Sequence, residues 1–268
     1  SPDGRRVVVT IVSDEDDDLW IYDRRRGTKT RLTAGGEDEF APSWSHSGEH
    51  IAYTAGPYPS EFSVWIVAAD GASPPERIGD GVGAIFSPED RELVFGRFDD
   101  PQGLPTGVRM TLDGDRRVET LPGNLQNLVF PEISPDGRYI AYATDDTGRP
   151  EVYIKRYPDM TGRWQVSTGG GMFPHWNQEG DEIYYAQDND IMVVEVTPGD
   201  PLGLGTPQKL FPREPVGACP LPNRWPPGFD VTPDGELFLV FQPVESKPTP
   251  LRIEVVQNWY EEFRGEDQ

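Results

Sequence analysis

The sequence predicts an all-β protein, a six-bladed β-propeller built from four-stranded antiparallel blades. Three observations carry this expectation. A turn of the Ser-Pro-Asp-Gly kind, followed by an apolar strand, recurs six times along the 268 residues. The copies open at Ser1, Ser45, Ser87, Ser134, Asn177 and Thr232, so successive spacings are 44, 42, 47, 43 and 55 residues, the range of four-stranded blades. Glycine (29) and proline (28) are abundant, as many short strands and turns require, and helical periodicity is nearly absent. Only Asn258 to Arg264 reads as a helical turn or two.

Each element follows from local chemistry. In SPDGRRVVVT and SPDGRYIAYA, Pro presets φ for the first corner, Asp bonds nearby backbone, and Gly takes positive φ at little steric cost. Gly fills the fourth place in five copies. Asp90 replaces it in the third, and Asp tolerates that region better than most residues. A further strand rich in β-branched and aromatic residues follows each hairpin, as in Leu19-Trp20-Ile21-Tyr22, Val64-Trp65-Ile66-Val67 and Glu151-Val152-Tyr153-Ile154. A shorter outer strand closes five of the repeats, as in Thr30-Arg31-Leu32 and Trp164-Gln165-Val166.

A small sheet of this kind cannot bury both of its own faces, whereas sheets stacked around an axis bury them against one another. The expected organisation is one propeller domain over residues 1–268, with approximate repeats 1–40, 41–81, 82–127, 128–170, 171–227 and 228–268. The first copy lacks the inner strand that precedes its turn. Either the C-terminal segment or residues upstream of Ser1 would supply it, and the chain is expected to be excised from a longer one.

Composition narrows the function. Against 24 Lys plus Arg stand 46 Asp plus Glu, a formal net charge of −22. Nucleic acid and anionic membranes are therefore not expected partners. No apolar run approaches the roughly 18 residues of a bilayer span, so this segment is not expected to insert into a membrane. Cys219 is alone, which excludes an internal disulfide and a cysteine-rich zinc site.

The turns SPDGRR, SPDGRY and TPDGEL, the preceding Pro42-Ser43-Trp44-Ser45 and Pro174-His175-Trp176-Asn177, and the trailing Thr30-Arg31-Leu32-Thr33 resemble the WD-like repeats of TolB-type β-propellers. From Ser134 onward, TGRPEVYIKRYP, RWQVSTGGG, GDEIYYA and VVQNWYEEF resemble the C-terminal propellers of large bacterial proteins. In that family the propeller is often fused behind a Ser/Thr kinase or a winged-helix DNA-binding domain. The resemblance covers essentially the whole chain. It implies a sensor or interaction module, with an extracytoplasmic location slightly favoured over a cytoplasmic one where the parent is a membrane-bound kinase.

No catalytic motif appears. The Gly-x-Ser-x-Gly elbow of α/β hydrolases, the His-Arg-Asp and Asp-Phe-Gly signatures of kinases and the Walker Gly-Lys-Ser/Thr are all missing. Gly79 to Gly83 and Gly169 to Gly171 fall between an outer strand and the next inner one, so they read as linkers between blades and not phosphate cradles. The run Asp14 to Asp18 fails the EF-hand template, since Leu19 and Arg25 stand where Gly and Glu are needed, and it reads as a solvated loop. His46 and His50 lie on a turn and its outgoing strand, where spacing by four does not align two ligands. Neither a metal nor a cofactor is expected.

Two candidate surfaces remain. Aligned on their turns, the inner strands place Ser43, Ile85, Glu132, His175 and Asp230 on one side and Trp44, Phe86, Ile133, Trp176 and Val231 on the other. The apolar set is expected between blades. Glu132, His175 and Asp230 are expected to approach a central channel, where they would bind a cation or a small polar ligand, or line a water-filled passage. The proline-rich excursion from Phe211 to Pro227 offers Arg224 and Trp225 as partner contacts, or folds over one end as a cap. The expected function is a noncatalytic module for protein interaction or ligand sensing. The alternative is an enzyme or part of one: a hydrolase or lyase working at the channel mouth, or the propeller of a prolyl-oligopeptidase-like peptidase.

Overall fold

The computed structural model describes residues 1–13, 16–57, 61–99, 105–123, 129–146, 148–212, 228–242 and 252–257. Arg224, Trp225, Cys219 and the segment Asn258 to Arg264 lie outside these residues. Among the described residues the regular structure is entirely β, and no helix is long and apolar enough to cross a membrane.

The strands form six antiparallel sheets. The first is β1 (Arg6–Ile11), β2 (Asp18–Asp23) and β3 (Thr28–Arg31), and the second runs β4 (Glu39–Trp44), β5 (His50–Ala55), β6 (Ser63–Ala68), β7 (Glu76–Asp80). The third is β8 (Val82–Phe86), β9 (Glu92–Arg97), β10 (Thr106–Thr111), β11 (Val118–Thr120). In the fourth, β12 (Val129–Ile133), β13 (Tyr139–Thr144), β14 (Glu151–Arg156) and β15 (Trp164–Gln165) keep the same order. The fifth holds β16 (Met172–Trp176), β17 (Glu182–Gln187), β18 (Asp190–Thr197), β19 (Gly203–Leu204) and β20 (Gln208–Pro212). The sixth is β21 (Phe229–Val231), β22 (Leu237–Gln242) and β23 (Arg252–Gln257).

The first and sixth sheets have three strands each among the described residues, while the others have four or more. The extra strand of the fifth is a finding the sequence did not announce. β18 is eight residues long, and two short strands share its outer edge: Val196 pairs Leu204 in β19, and Val193 pairs Gln208 in β20. This interrupted outer strand accounts for part of the long fifth spacing.

All six turns close in the same way. The fourth residue donates its N–H to the carbonyl of the first, from Gly4 to Ser1 at 2.9 Å through Gly235 to Thr232 at 2.8 Å. That residue is left-handed each time, including Asp90 at φ 56°. The first side chain accepts the N–H five residues on: Arg6 to Ser1 Oγ at 2.9 Å, Tyr139 to Ser134 Oγ at 3.0 Å, Glu182 to Asn177 Oδ1 at 3.1 Å. The opening Ser, Thr or Asn thus takes part in closing these turns alongside the left-handed residue.

The chain divides into two compact units, residues 1–140 with 155–162 and residues 141–154 with 163–268. In the first unit, strand alternation buries both faces of the second sheet. Ile51, Tyr53 and Ala55 of β5 pack with Leu19 of β2, while Ala52 of the same strand packs with Phe86, Leu93 and Phe95 of the third sheet. Each large side chain buried this way contributes about 1.5–3 kcal/mol, which is why a single sheet would not suffice. In the second unit the rings of Tyr184, Phe211 and Phe229 surround Phe238 at centroid distances of 5.2, 5.1 and 6.2 Å.

Candidate functional site at the hairpin turns

The inner strands share a further device. Ala41, Gly83, Phe130 and Phe173, at the same place in four repeats, have φ of 51, 67, 50 and 55°. Ladder register shifts at this point in β4, β8 and β16. A bulge here bends the strand and re-aims the next side chains. Beyond it, Phe86, Ile133 and Trp176 are buried, whereas Ser43, Ile85, Glu132 and His175 are half-buried.

Glu132 lies on β12 in the first unit, while His175 and Asp230 lie on β16 and β21 of the second. His175 Nε2 is 2.9 Å from the Phe229 carbonyl, and the two rings meet edge-on at 4.9 Å. A carbonyl only accepts, so Nε2 carries a proton and donates it. The imidazole therefore ties the fifth sheet to the sixth. Asp230 is exposed, and its Oδ1 accepts the Val231 N–H at 2.8 Å. His46 and His50 are both exposed, with the His46 Nδ1 3.6 Å from Asp90 Oδ1. Among the described residues no three His, Cys, Asp or Glu side chains are grouped to hold a metal ion. Gly81 and Gly171 serve packing: a Cβ would fall 2.6 Å from the Phe95 ring and from Ser167 Oγ, respectively.

The features with the most chemistry sit where strands turn. Consecutive turns of the first unit are clipped together. Arg6 Nη2 donates to the Gly48 carbonyl at 2.9 Å, and the Asp90 carboxylate takes the N–H groups of His46 and Ser47. Between the third and fourth turns the clip is Tyr157, whose hydroxyl donates to Glu92 Oε2 at 2.8 Å. Glu92 Oε1 is 3.6 Å from Arg109 Nη1, and Arg109 Nη2 is 2.5 Å from Glu119. Arg117 Nη2 adds a third contact at 2.9 Å to Glu119.

The electrostatics agree with this geometry. Burial first, and then the bond to Glu92, push the Tyr157 phenol up, so it stays a donor at neutral pH. The hydrogen bond to Glu119 raises the Arg109 guanidinium, and the same bond lowers the Glu119 carboxyl. Beside this network lies an open cleft of about 350 Å³, walled by Pro88 and Pro135 and bearing Glu89, Arg91, Glu92, Asp136 and Tyr157. Two rigid apolar rings flank three carboxylates and one guanidinium, with Arg91 Nε 3.5 Å from Glu89, an arrangement suited to a polar segment that both donates and accepts hydrogen bonds. The sequence showed each turn but not this cleft, because Tyr157 belongs to the turn after β14, 65 residues from Glu92.

No family model matches this chain. It is 34% identical over 155 residues to the uncharacterized protein Atu1656 of Agrobacterium fabrum, covering 53% of this chain and 52% of that one. It is also 34% identical over 92 residues to the Tol-Pal system protein TolB of Pseudomonas aeruginosa, covering 34% of this chain and 21% of that one. The chain thus spans about half the length, or less, of these curated relatives. Among solved structures, TolB from Acinetobacter baumannii superposes with a TM-score of 0.72 at 14% identity, covering 96% of this chain and 62% of the other. These likenesses define the class of fold: an all-β, TolB-like β-propeller.

Proposed function

We propose that this chain is a noncatalytic propeller module that binds a protein partner through the hairpin turns of its first unit. The cleft between the third and fourth turns carries the proposal. Its walls are prolines and its floor is held by the Tyr157–Glu92–Arg109 contacts, so little conformational freedom is lost when a partner docks. Loops fixed on a rigid β scaffold are the usual place for such contacts. The likeness to TolB chains, whose name includes a Tol-Pal system, supports a role inside an assembly.

The same proposal takes the six sheets as six blades. Its support is the six-fold recurrence of the turn. It also includes fusion behind a kinase or winged-helix domain, supported by the sequence resemblance from Ser134 onward.

Site-specific photo-cross-linking in the native host tests the interaction. A benzophenone amino acid in place of Glu89 should capture one discrete protein, and the same group in place of Thr120, on the exposed edge strand β11, should not. Equal capture at both positions, or none at Glu89, would reject the cleft between the third and fourth turns as the binding face.

A further inference from the structure

The first sheet has a cleft of its own at the turn end, with a volume of about 380 Å³, lined by Arg5, Asp23, Arg25 and Arg26. Two hairpin ends build it. The Arg24 N–H donates to the Arg5 carbonyl at 3.0 Å, and Arg24 Nη1 to the Gly4 carbonyl at 2.6 Å, so the two turns are fixed against each other.

The nearby carboxylates are occupied by their turns. Asp23 Oδ1 accepts the N–H groups of Arg25 and Arg26, each at 2.9 Å. Asp3 Oδ1 accepts the Ser1 hydroxyl at 2.6 Å and the Arg5 N–H at 3.1 Å. Guanidinium groups approach them only loosely: Arg5 Nε is 3.8 Å from Asp3, and Arg26 Nε is 4.0 Å from Asp23. The Arg25 guanidinium is within ion-pair distance of no carboxylate among the described residues. Three exposed cations therefore surround one lining carboxylate, in a chain whose net charge is −22.

We propose that this cleft binds an acidic segment of a partner protein, its carboxylates held by Arg5, Arg25 and Arg26. The inference rests on the protein-interaction reading above and names the chemistry of one contact within it. Charge complementarity carries the choice, because planar guanidinium groups match carboxylates bidentately. A long polyanion such as nucleic acid, or an anionic bilayer, would also meet the negative charge of the remaining surface. A short acidic segment meets only what lies within a Debye length of about 8 Å. The edge strand β3 that follows the turn at Arg25 and Arg26 is exposed along its length.

Fluorescence anisotropy of labelled hexaglutamate, titrated with the whole chain at about 0.15 M salt, tests this. Saturable binding is expected, weakened about tenfold or more in R25Q/R26Q. The control R77Q/R116Q makes the same change of net charge outside the cleft and should bind within about twofold of wild type. Absence of saturable binding, or equal losses in both double variants, would overturn the proposal. So would displacement of the peptide by an equimolar amount of inorganic phosphate, which would mark a site for small anions. Cross-linking at Glu89 reads the interaction module independently: capture there without hexaglutamate binding would reject only the arginine cleft, and the converse would reject only the Glu89 surface.

Discussion

Asp90 Oδ1 accepts the backbone N–H of His46 at 2.7 Å, and its other oxygen takes the N–H of Ser47 at 2.8 Å. One residue thus closes its own turn in the left-handed region and reaches back to hold the turn before it. This is the physical sense of the single departure from Gly among the six repeats. Replacing Asp90 separates the two roles. Asp90→Gly relaxes the backbone and loses only the clamp, whereas Asp90→Ala also sets a Cβ residue at φ 56° without a compensating bond. Expected losses, read by urea unfolding, are about 1 kcal/mol for Gly and about 2 kcal/mol for Ala. A Gly variant at least as stable as wild type would contradict the clamp.

How much of this was legible in the sequence depends on range. Turns, strands and the alternation that buries Trp176 and leaves His175 half-buried are local, and spacing alone reveals them. The Tyr157–Glu92 bond and the arginine cleft depend on which turns meet, which no window of neighbouring residues records. The β19–β20 interruption was hidden for another reason: a two-residue strand is too short to show a period. His175 illustrates the limit well. Its place on the inner strand was readable, while its bond to the Phe229 carbonyl required the neighbouring sheet.

The left-handed position of the inner strands can be tested from both sides. Gly83 and Ala41 occupy it in consecutive repeats, at φ 67 and 51°. A Cβ on Gly83 would meet nothing within 4 Å, so Gly83→Ala isolates the backbone cost and should lose about 1 kcal/mol. Ala41→Gly removes the same strain while giving the unfolded chain more freedom, and should gain about 0.5 kcal/mol. Thermal melts of the two variants should move in opposite directions. A shift of the same sign in both would show that neighbours, not φ, decide the cost.

Tyr185 is fully buried and its hydroxyl has no hydrogen-bond partner among the described residues. Burial, followed by the nearby Glu151 charge, pushes its phenol up to about 12 from 10.0. Tyr185→Phe removes a desolvated, unsatisfied group without opening a cavity and should raise stability by up to about 1 kcal/mol. The sign at high pH follows from proton counting. Between pH 10 and 12 the unfolded chain releases this proton while the folded one keeps it, so wild-type stability falls with rising pH. The gap in favour of Phe should widen across that window. A constant gap would mean that Tyr185 finds a partner in solution.

Glu39 gives the matching test at acid pH. Its carboxyl is buried at the start of β4, where Oε2 accepts the Thr33 hydroxyl and the Leu19 N–H. Desolvation raises its pKa above 4.5, although both hydrogen bonds oppose the rise. At pH values above 4.5 the unfolded chain gives up the proton first, and the folded state must then hold a charge out of water. The stability contributed by Glu39 is therefore present below the unfolded value and is lost as pH rises through the folded one. Exposed turn carboxylates such as Asp3, whose pKa is lowered chiefly by the Ser1 hydroxyl, work in the opposite sense and are weakened by acid. Subtracting variants isolates Glu39 from that background. Glu39→Gln keeps an acceptor for Thr33 and never ionises, so its melting temperature relative to wild type should be higher at pH 7 than at pH 4. A difference that shrinks over that interval would show that the Thr33 and Leu19 bonds outweigh burial and that the carboxylate is held charged.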